Sequence, residues 1–167
     1  NKALRIREEN GDEKGIAISF NNIGLLYKNQ GDIIQGLEYL HKALKIYESL
    51  DSQSGIATIL NNIGTIYESQ GDITKAMKYY HQSLEIRKEQ GSNIGIANCL
   101  NNIALVYKSQ NDIPRAIEYL NKALEYYKKN KRKGSIATVY NNLGSIYRNL
   151  EEYDKALAYH NKCLQRR

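Results

Sequence analysis

Asn61-Asn62-Ile63-Gly64-Thr65-Ile66-Tyr67 is the stretch from which the fold is read. Its pattern returns as Asn21-Asn22-Ile23-Gly24 with Tyr27, as Asn101-Asn102-Ile103-Ala104 with Tyr107, and as Asn141-Asn142-Leu143-Gly144 with Tyr147. The interval is 40 residues each time. A fixed period of roughly 20 to 50 residues marks a repeat architecture, in which no unit buries its apolar face without its neighbours.

Working outward, each repeat holds two periodic segments. Ile16, Ala17, Phe20, Ile23, Gly24 and Tyr27 lie on one face of a first helix, A. Ile33, Leu37, Leu40, Leu44 and Tyr47 do the same on a second, B. Between them, Gly31 suits the left-handed conformation that ends a helix, and Asp32 can cap the next one. One repeat is therefore helix A, a tight turn, helix B and a longer return turn. The spacing predicts a first helix B at 1–9, then A and B helices at 13–29, 33–49, 53–69, 73–89, 93–109, 113–129, 133–149 and 153–165. Gly24, Gly64, Ala104 and Gly144 on the A helices are expected to face Gly36, Ala76, Ala116 and Ala156 on the B helices, so that the axes approach closely. Pro114 falls in the first turn of its helix, where a missing N–H is harmless. Asn111 replaces a turn glycine, and Glu151-Glu152 replace Gly-Asp, which predicts a turn without its stop or its cap.

Composition narrows the function. Apolar residues make up 41% of 167, enough for a continuous core, and no apolar run reaches membrane-spanning length. The opening Asn1-Lys2-Ala3-Leu4-Arg5 is polar and is not read as a signal peptide. Cys99 and Cys163 have no second Cys or His at metal spacing, and read as small buried hydrophobes in a reducing, cytoplasmic setting. His41 and His81 share a slot one repeat apart, too far to share a metal. No catalytic constellation, metal site or cofactor is expected. The net charge of +6 favours acidic partners slightly.

The run from Asn61 to Leu84, Asn-Asn-Ile-Gly-x-x-Tyr-x-x-x-Gly-Asp-Ile-x-x-Ala-x-x-Tyr-x-x-x-Leu, resembles the tetratricopeptide repeat. The first-helix aromatic slot holds Phe20, Leu60, Leu100 and Tyr140. The resemblance covers a single array over 1–167, made of a half-repeat at 1–10 and repeats at about 13–50, 53–90, 93–130 and 133–167. The usual repeat of that family has about 34 residues and a terminal proline. The 40-residue form seen here resembles kinesin light chains, spindle-orientation adaptors and bacterial regulators. The resemblance implies an all-α fold, a right-handed superhelical solenoid of antiparallel helix pairs with helix A lining the concave face. It also implies a non-catalytic role in binding proteins. The array is expected to be a piece of a longer chain.

In such arrays one asparagine of each pair commonly faces the groove and bonds the backbone of an extended ligand. The matching positions are Asn22, Asn62, Asn102 and Asn142. A carboxamide offers a donor and an acceptor, the complement of one peptide unit. The alternative is that these asparagines only tie adjacent helices. Specificity is assigned to neighbours on the same face. Ile18, Leu25 and Leu105 could receive apolar side chains, and Lys28, Lys108 and Arg148 could meet carboxylates. The expected partner is a protein or peptide, extended and mildly acidic, with no membrane. Two other readings stand beside it. Nucleic-acid binding would use the basic turn Lys128, Lys129, Lys131, Arg132 and Lys133, though such a tract does not recur along the repeats. A purely architectural role would rest on end-to-end self-association.

Overall fold

A computed structural model describes residues 2–165. Asn1 of the expected half-repeat 1–10 and Arg166–Arg167 of the expected repeat 133–167 lie outside the described residues. Nine helices and no strand are found among the described residues. They are α1 (Lys2–Glu9), α2 (Glu13–Asn29), α3 (Ile33–Ser49), α4 (Gln53–Ser69), α5 (Ile73–Glu89), α6 (Asn93–Ser109), α7 (Ile113–Lys129), α8 (Lys133–Asn149) and α9 (Tyr153–Leu164). The boundaries fall within a residue of those read from the periodicity. The architecture is the all-α tandem of helix pairs expected.

The connections explain this regularity. Gly11, Gly31, Asp51, Gly71, Gly91, Asn111, Lys131 and Glu151 all have positive φ, and they stand 20 residues apart. The return turn is thus no longer than the turn inside a repeat, contrary to expectation. At each stop the same pair of bonds closes the helix. Gly31 N–H donates to Lys28 O at 3.0 Å and Asp32 N–H to Tyr27 O at 2.9 Å. Glu151 and Glu152 repeat them on Arg148 O at 3.1 Å and Tyr147 O at 2.9 Å. These bonds satisfy carbonyls that the helix end would orphan. That return outweighs the roughly 1–2 kcal/mol an L-residue loses in the left-handed region, so the fourth repeat keeps its stop without glycine. Its cap is absent as expected: Glu152 makes no side-chain cap bond, whereas Asp112 accepts from Arg115 N–H at 3.2 Å.

The chain divides into two compact units, Asn1–Ile86 and Arg87–Arg167. In the first, Ala17, Leu40, Ala43, Ile59, Ile63 and Ile66 are fully buried between α2, α3 and α4. In the second, Ile103, Val106, Leu120, Val139, Leu143 and Ile146 are fully buried. Small residues let the helices of a pair close. A Cβ on Gly24 would lie 2.9 Å from Gly36 O, and one on Gly64 would lie 2.7 Å from the ring of Tyr80.

A device not read from the sequence fastens each pair near its turn. Tyr27 stacks on Tyr39 and Tyr67 on Tyr79, each with centroids 5.5 Å apart. In the second unit Tyr107 meets Tyr119 at 5.3 Å and Tyr147 meets Tyr159 at 5.5 Å. A cation then covers a ring: Lys75 over Tyr67 at 4.9 Å, Arg115 over Tyr107 at 4.9 Å and Lys155 over Tyr147 at 5.2 Å. Those cations are held in turn by Asp72, Asp112 and Glu152, the residues at the helix starts. Aromatic pairs of this kind add about 0.5–1.5 kcal/mol beyond their burial.

Candidate peptide-binding surface

Spacing along helix A puts the asparagines, the residue four before the second of them and the residue three after it on one stripe. The structure places that stripe outward in each unit. In the first unit Ile18 is 39% exposed, Asn22 and Thr58 are exposed, and Asn21, Asn62, Leu25 and Thr65 are half-buried.

The asparagines are joined to one another. Asn62 Nδ2, on α4, donates to Asn21 Oδ1, on α2, at 2.7 Å. Asn21 Nδ2 donates to Asn22 Oδ1 at 3.3 Å. Asn62 Oδ1 accepts no hydrogen bond among the described residues, while the Asn62 backbone carbonyl accepts from the Thr65 hydroxyl at 2.8 Å. Beside this rung, Ile18, Asn21 and Thr58 help line a cavity of about 230 Å³ between α2 and α4. Tyr47 also lines it, and burial raises that hydroxyl's pKa. Lys28 is half-buried near the end of α2. Its counterpart on α4, Glu68, accepts a hydrogen bond from the Tyr80 hydroxyl at 2.5 Å, so this carboxylate is already engaged.

The second unit repeats the rung with different neighbours. Asn142 Nδ2, on α8, points to Asn101 Oδ1, on α6, at 3.5 Å, the loose limit of a hydrogen bond. Asn102 is half-buried and engaged in a polar contact of its own. Lys108 Nζ donates to Ser145 Oγ at 3.2 Å, bridging α6 and α8. Arg148 is exposed and Leu105 half-buried. Asn98 Oδ1 accepts from the Tyr127 hydroxyl at 2.6 Å, which orients its amide. Burial, and then the nearby Cys99, pushes the Tyr127 pKa up to about 12, against the opposing pull of Arg132. That donor therefore keeps its proton across the physiological range.

Sequence reasoning located the stripe and missed its internal bonding. It named Asn22, Asn62, Asn102 and Asn142 but not Asn21 and Asn101, the acceptors of the rungs. The signal was the doublet itself: two consecutive asparagines cannot both point one way on a helix, and the second reaches the first of the repeat before it. Chemically the stripe offers amides fixed on one side, small hydroxyls at Thr58, Thr65 and Ser145, apolar contacts at Ile18, Leu25 and Leu105, and cations at Lys28, Lys108 and Arg148. Among the described residues no cluster of three or more His, Cys, Asp or Glu could hold a metal, and no helix is long and apolar enough to cross a membrane.

Comparison with known proteins bears on this geometry. The sequence profile of the tetratricopeptide repeat matches residues 15–89 and 55–129, and a second profile of the same description matches residues 137–167. No curated protein sequence matches the chain. Among solved structures it is similar to BtubC (BKLC) from P. vanneervenii, with TM-score 0.83 and 24% identity over 99% of this chain and 68% of that one. It is also similar to aspartyl phosphate phosphatase F from Bacillus subtilis, with TM-score 0.84 and 19% identity over 92% of this chain. RapI in its apo form gives TM-score 0.79 and 23% identity over 99% of this chain. The chain spans only 40% and 47% of the length of those last two proteins.

Proposed function

The chain belongs to the tetratricopeptide repeat family, and on that premise we propose that it is a protein-interaction module whose helix-A stripe holds an extended, mildly acidic segment of a partner protein. The observation that carries this is the Asn62–Asn21 rung. Holding a side chain in one rotamer before the ligand arrives reduces the ordering cost of binding. The rung fixes the Asn62 side-chain amide through Nδ2 and leaves Oδ1 to accept a backbone N–H. Tying the helices and meeting a ligand are two uses of one amide, so the alternatives weighed from sequence are compatible. The cations Lys28, Lys108 and Arg148 supply the preference for carboxylates.

The test is a peptide array followed by titration of the best hit. A net hydrogen bond contributes about 0.5–1.5 kcal/mol, so Asn62→Ala or Asn142→Ala lowers affinity roughly two- to twelvefold. Lys108→Glu weakens acidic peptides and raises tolerance for basic ones. Undiminished affinity in both asparagine variants, each still folded by circular dichroism, would remove the ligand from this stripe.

Nucleic-acid binding has one observation in its favour. Lys128, Lys129, Lys131, Arg132 and Lys133 are exposed in one turn, and three of them line a cavity of about 320 Å³ with Ile136. A single-stranded RNA titration whose affinity falls steeply with salt, and which collapses on replacing these residues by glutamine, would favour that reading.

A further inference from the structure

The cavity of about 230 Å³ beside the Asn62–Asn21 rung holds a hydroxyl without a partner. Tyr47, near the end of α3, is 7% exposed, and its hydroxyl makes no hydrogen bond among the described residues. No fully buried side-chain oxygen lacks a partner among those residues, so this hydroxyl opens onto the cavity that Tyr47 lines. The ring runs against the start of α4, where a Cβ on Gly55 would lie 2.2 Å from Tyr47 Cδ1. Tyr127 occupies the same slot two repeats on and gives its proton to Asn98 Oδ1 at 2.6 Å. The counterpart of Asn98 in the first repeat is Ile18, which lines the cavity and cannot accept.

The start of α4 brings a second unfilled donor to the same cavity. In α2 the carboxylate of Asp12 accepts from Gly15 N–H at 2.9 Å. Forty residues on, Ser52 makes no side-chain cap bond, and Gly55 N–H makes no hydrogen bond among the described residues. Both Ser52 and Gly55 line the cavity. The first turn of a helix favours negative charge. Lys14 is the charged residue of the lining, whereas Glu13 and Asp51 are exposed and outside it. The other copies of the Tyr47 slot are filled differently. Arg7 Nη1 donates to Gly15 O and Ser19 Oγ, each at 2.7 Å, Arg87 is engaged in a polar contact of its own, and Tyr127 is taken by Asn98. At α4 the unpartnered hydroxyl and the uncapped N–H meet.

We infer that this cavity receives the side-chain carboxylate of an aspartate in the partner segment, bound by the Tyr47 hydroxyl and the Gly55 N–H and balanced by Lys14. The chain itself indicates the chemistry, because the place left open at Gly55 is filled at Gly15 by the carboxylate of Asp12. Burial holds the Tyr47 proton in place, so at neutral pH the hydroxyl is a donor. Bonds from a hydroxyl and an amide to a carboxylate are charge-assisted and stronger than neutral ones. Asn21 and Thr58 belong both to the stripe and to the cavity wall, so a segment lying along the stripe passes its mouth. The inference rests on that reading of the stripe and names the residue whose charge anchors the segment there.

The experiment uses the whole chain labelled with nitrogen-15, so that the Gly55 amide and the asparagine side chains are read separately. Four probes are titrated at one ionic strength: Gly-Asp-Gly and Gly-Asn-Gly blocked at both ends, triglycine with a free terminal carboxylate, and inorganic phosphate. Gly-Asp-Gly should shift the Gly55 amide and bind at least about fivefold more tightly than Gly-Asn-Gly. Tyr47→Phe keeps the ring and removes the hydroxyl; it should weaken the aspartate peptide about three- to tenfold and leave the asparagine peptide unchanged. Ser52→Asp supplies a carboxylate to Gly55 as Asp12 does to Gly15, and should abolish the preference for aspartate. Equal binding of the two blocked peptides, with shifts on the stripe asparagines alone, overturns the inference and leaves the stripe reading standing. A Gly55 shift without any asparagine shift defeats the stripe reading and supports the carboxylate site. Tighter binding of phosphate or of the terminal carboxylate, or no Gly55 shift with any probe, overturns the inference. So does undiminished aspartate binding by folded Tyr47→Phe. Should that variant not fold, Ser52→Asp decides: an unchanged preference for aspartate defeats the inference.

Discussion

Gly64→Ala tests how closely the helices of a pair must approach. The added Cβ would sit 2.7 Å from Cδ1 and Cε1 of Tyr80. Carbon atoms prefer about 3.5–4.0 Å, so one of the two must move by nearly 1 Å. Tyr80 has nowhere to go. It is fully buried, and its hydroxyl is held by the Glu68 carboxylate at 2.5 Å. Two terms oppose each other. Alanine improves helix propensity by about 1 kcal/mol over glycine. Overpacking a well-filled site costs about 1–3 kcal/mol, and the pinned ring puts this site toward the upper end. The expected net is a loss of about 1–2 kcal/mol, which for a chain of this size lowers Tm by roughly 2–8 °C. The third repeat suggests the compensating change, because it carries Ala104 and Leu120 at these positions, both fully buried. In a Tyr80→Leu background, Gly64→Ala should therefore become neutral or stabilising, giving a coupling of about 1–3 kcal/mol. Urea and thermal unfolding of the four proteins, followed by far-ultraviolet circular dichroism, complete the cycle. An equal effect of Gly64→Ala in both backgrounds would refute the steric account.

Other outcomes follow from single contacts. Alanine at Asn21 and Asn62, singly and together, should show a coupling of about 0.5–1.5 kcal/mol in unfolding, and strict additivity would mean the rung contributes nothing. Glu151→Gly should stabilise the chain by roughly 0.5–1 kcal/mol, because it relieves a left-handed L-residue at the cost of greater unfolded-state entropy. A loss of stability would show that the Glu151 side chain matters more than its backbone. Tyr127 gives a dependence on alkaline pH. Its hydroxyl is raised to about 12 in the folded chain, chiefly by burial, against an ordinary value of 10.0. Below the unfolded value both states keep the proton and the stabilisation is fully present. Between about 10 and 12 only the unfolded chain releases it, so stability falls as pH rises. Tyr127→Phe should remove that part of the slope, and identical slopes in the two proteins would exclude the assignment.

The helices were legible because the apolar residues recur at the helical period without a lapse and the turn residues recur between them. The return turn was misjudged because its positive-φ stop is glycine in two copies, Gly11 and Gly91, but Asp51 and Lys131 in the others, so no shared turn residue marks it. Only the 20-residue interval shared with Gly31 and Gly71 betrays them, and local propensity argues the other way. The asparagine stripe could be placed on a face from spacing, but which amide bonds which depends on how near α2 runs to α4, a matter of packing. The tyrosines were readable as core rows. Their cations were not, although a Lys or Arg three residues after each of Asp72, Asp112 and Glu152 was in view. Leu60 and Leu100 were visible as departures from the aromatic slot, and only packing shows that Leu60 stays half-buried while Leu100 is buried.

The paired tyrosines also give the molecule an optical character. The chain holds 14 tyrosines and no tryptophan, so its near-ultraviolet absorption is due to phenol rings. Each helix pair carries one couple of such rings 5.3–5.5 Å apart. Chromophores that close share their excitation and produce a circular dichroism band that neither gives when separated. Undocking one hairpin would extinguish one couple while the helices themselves continued to absorb as before. The near-ultraviolet band is therefore a count of closed hairpins, and its decay relative to the far-ultraviolet signal would distinguish a chain that opens pair by pair from one that melts as a whole.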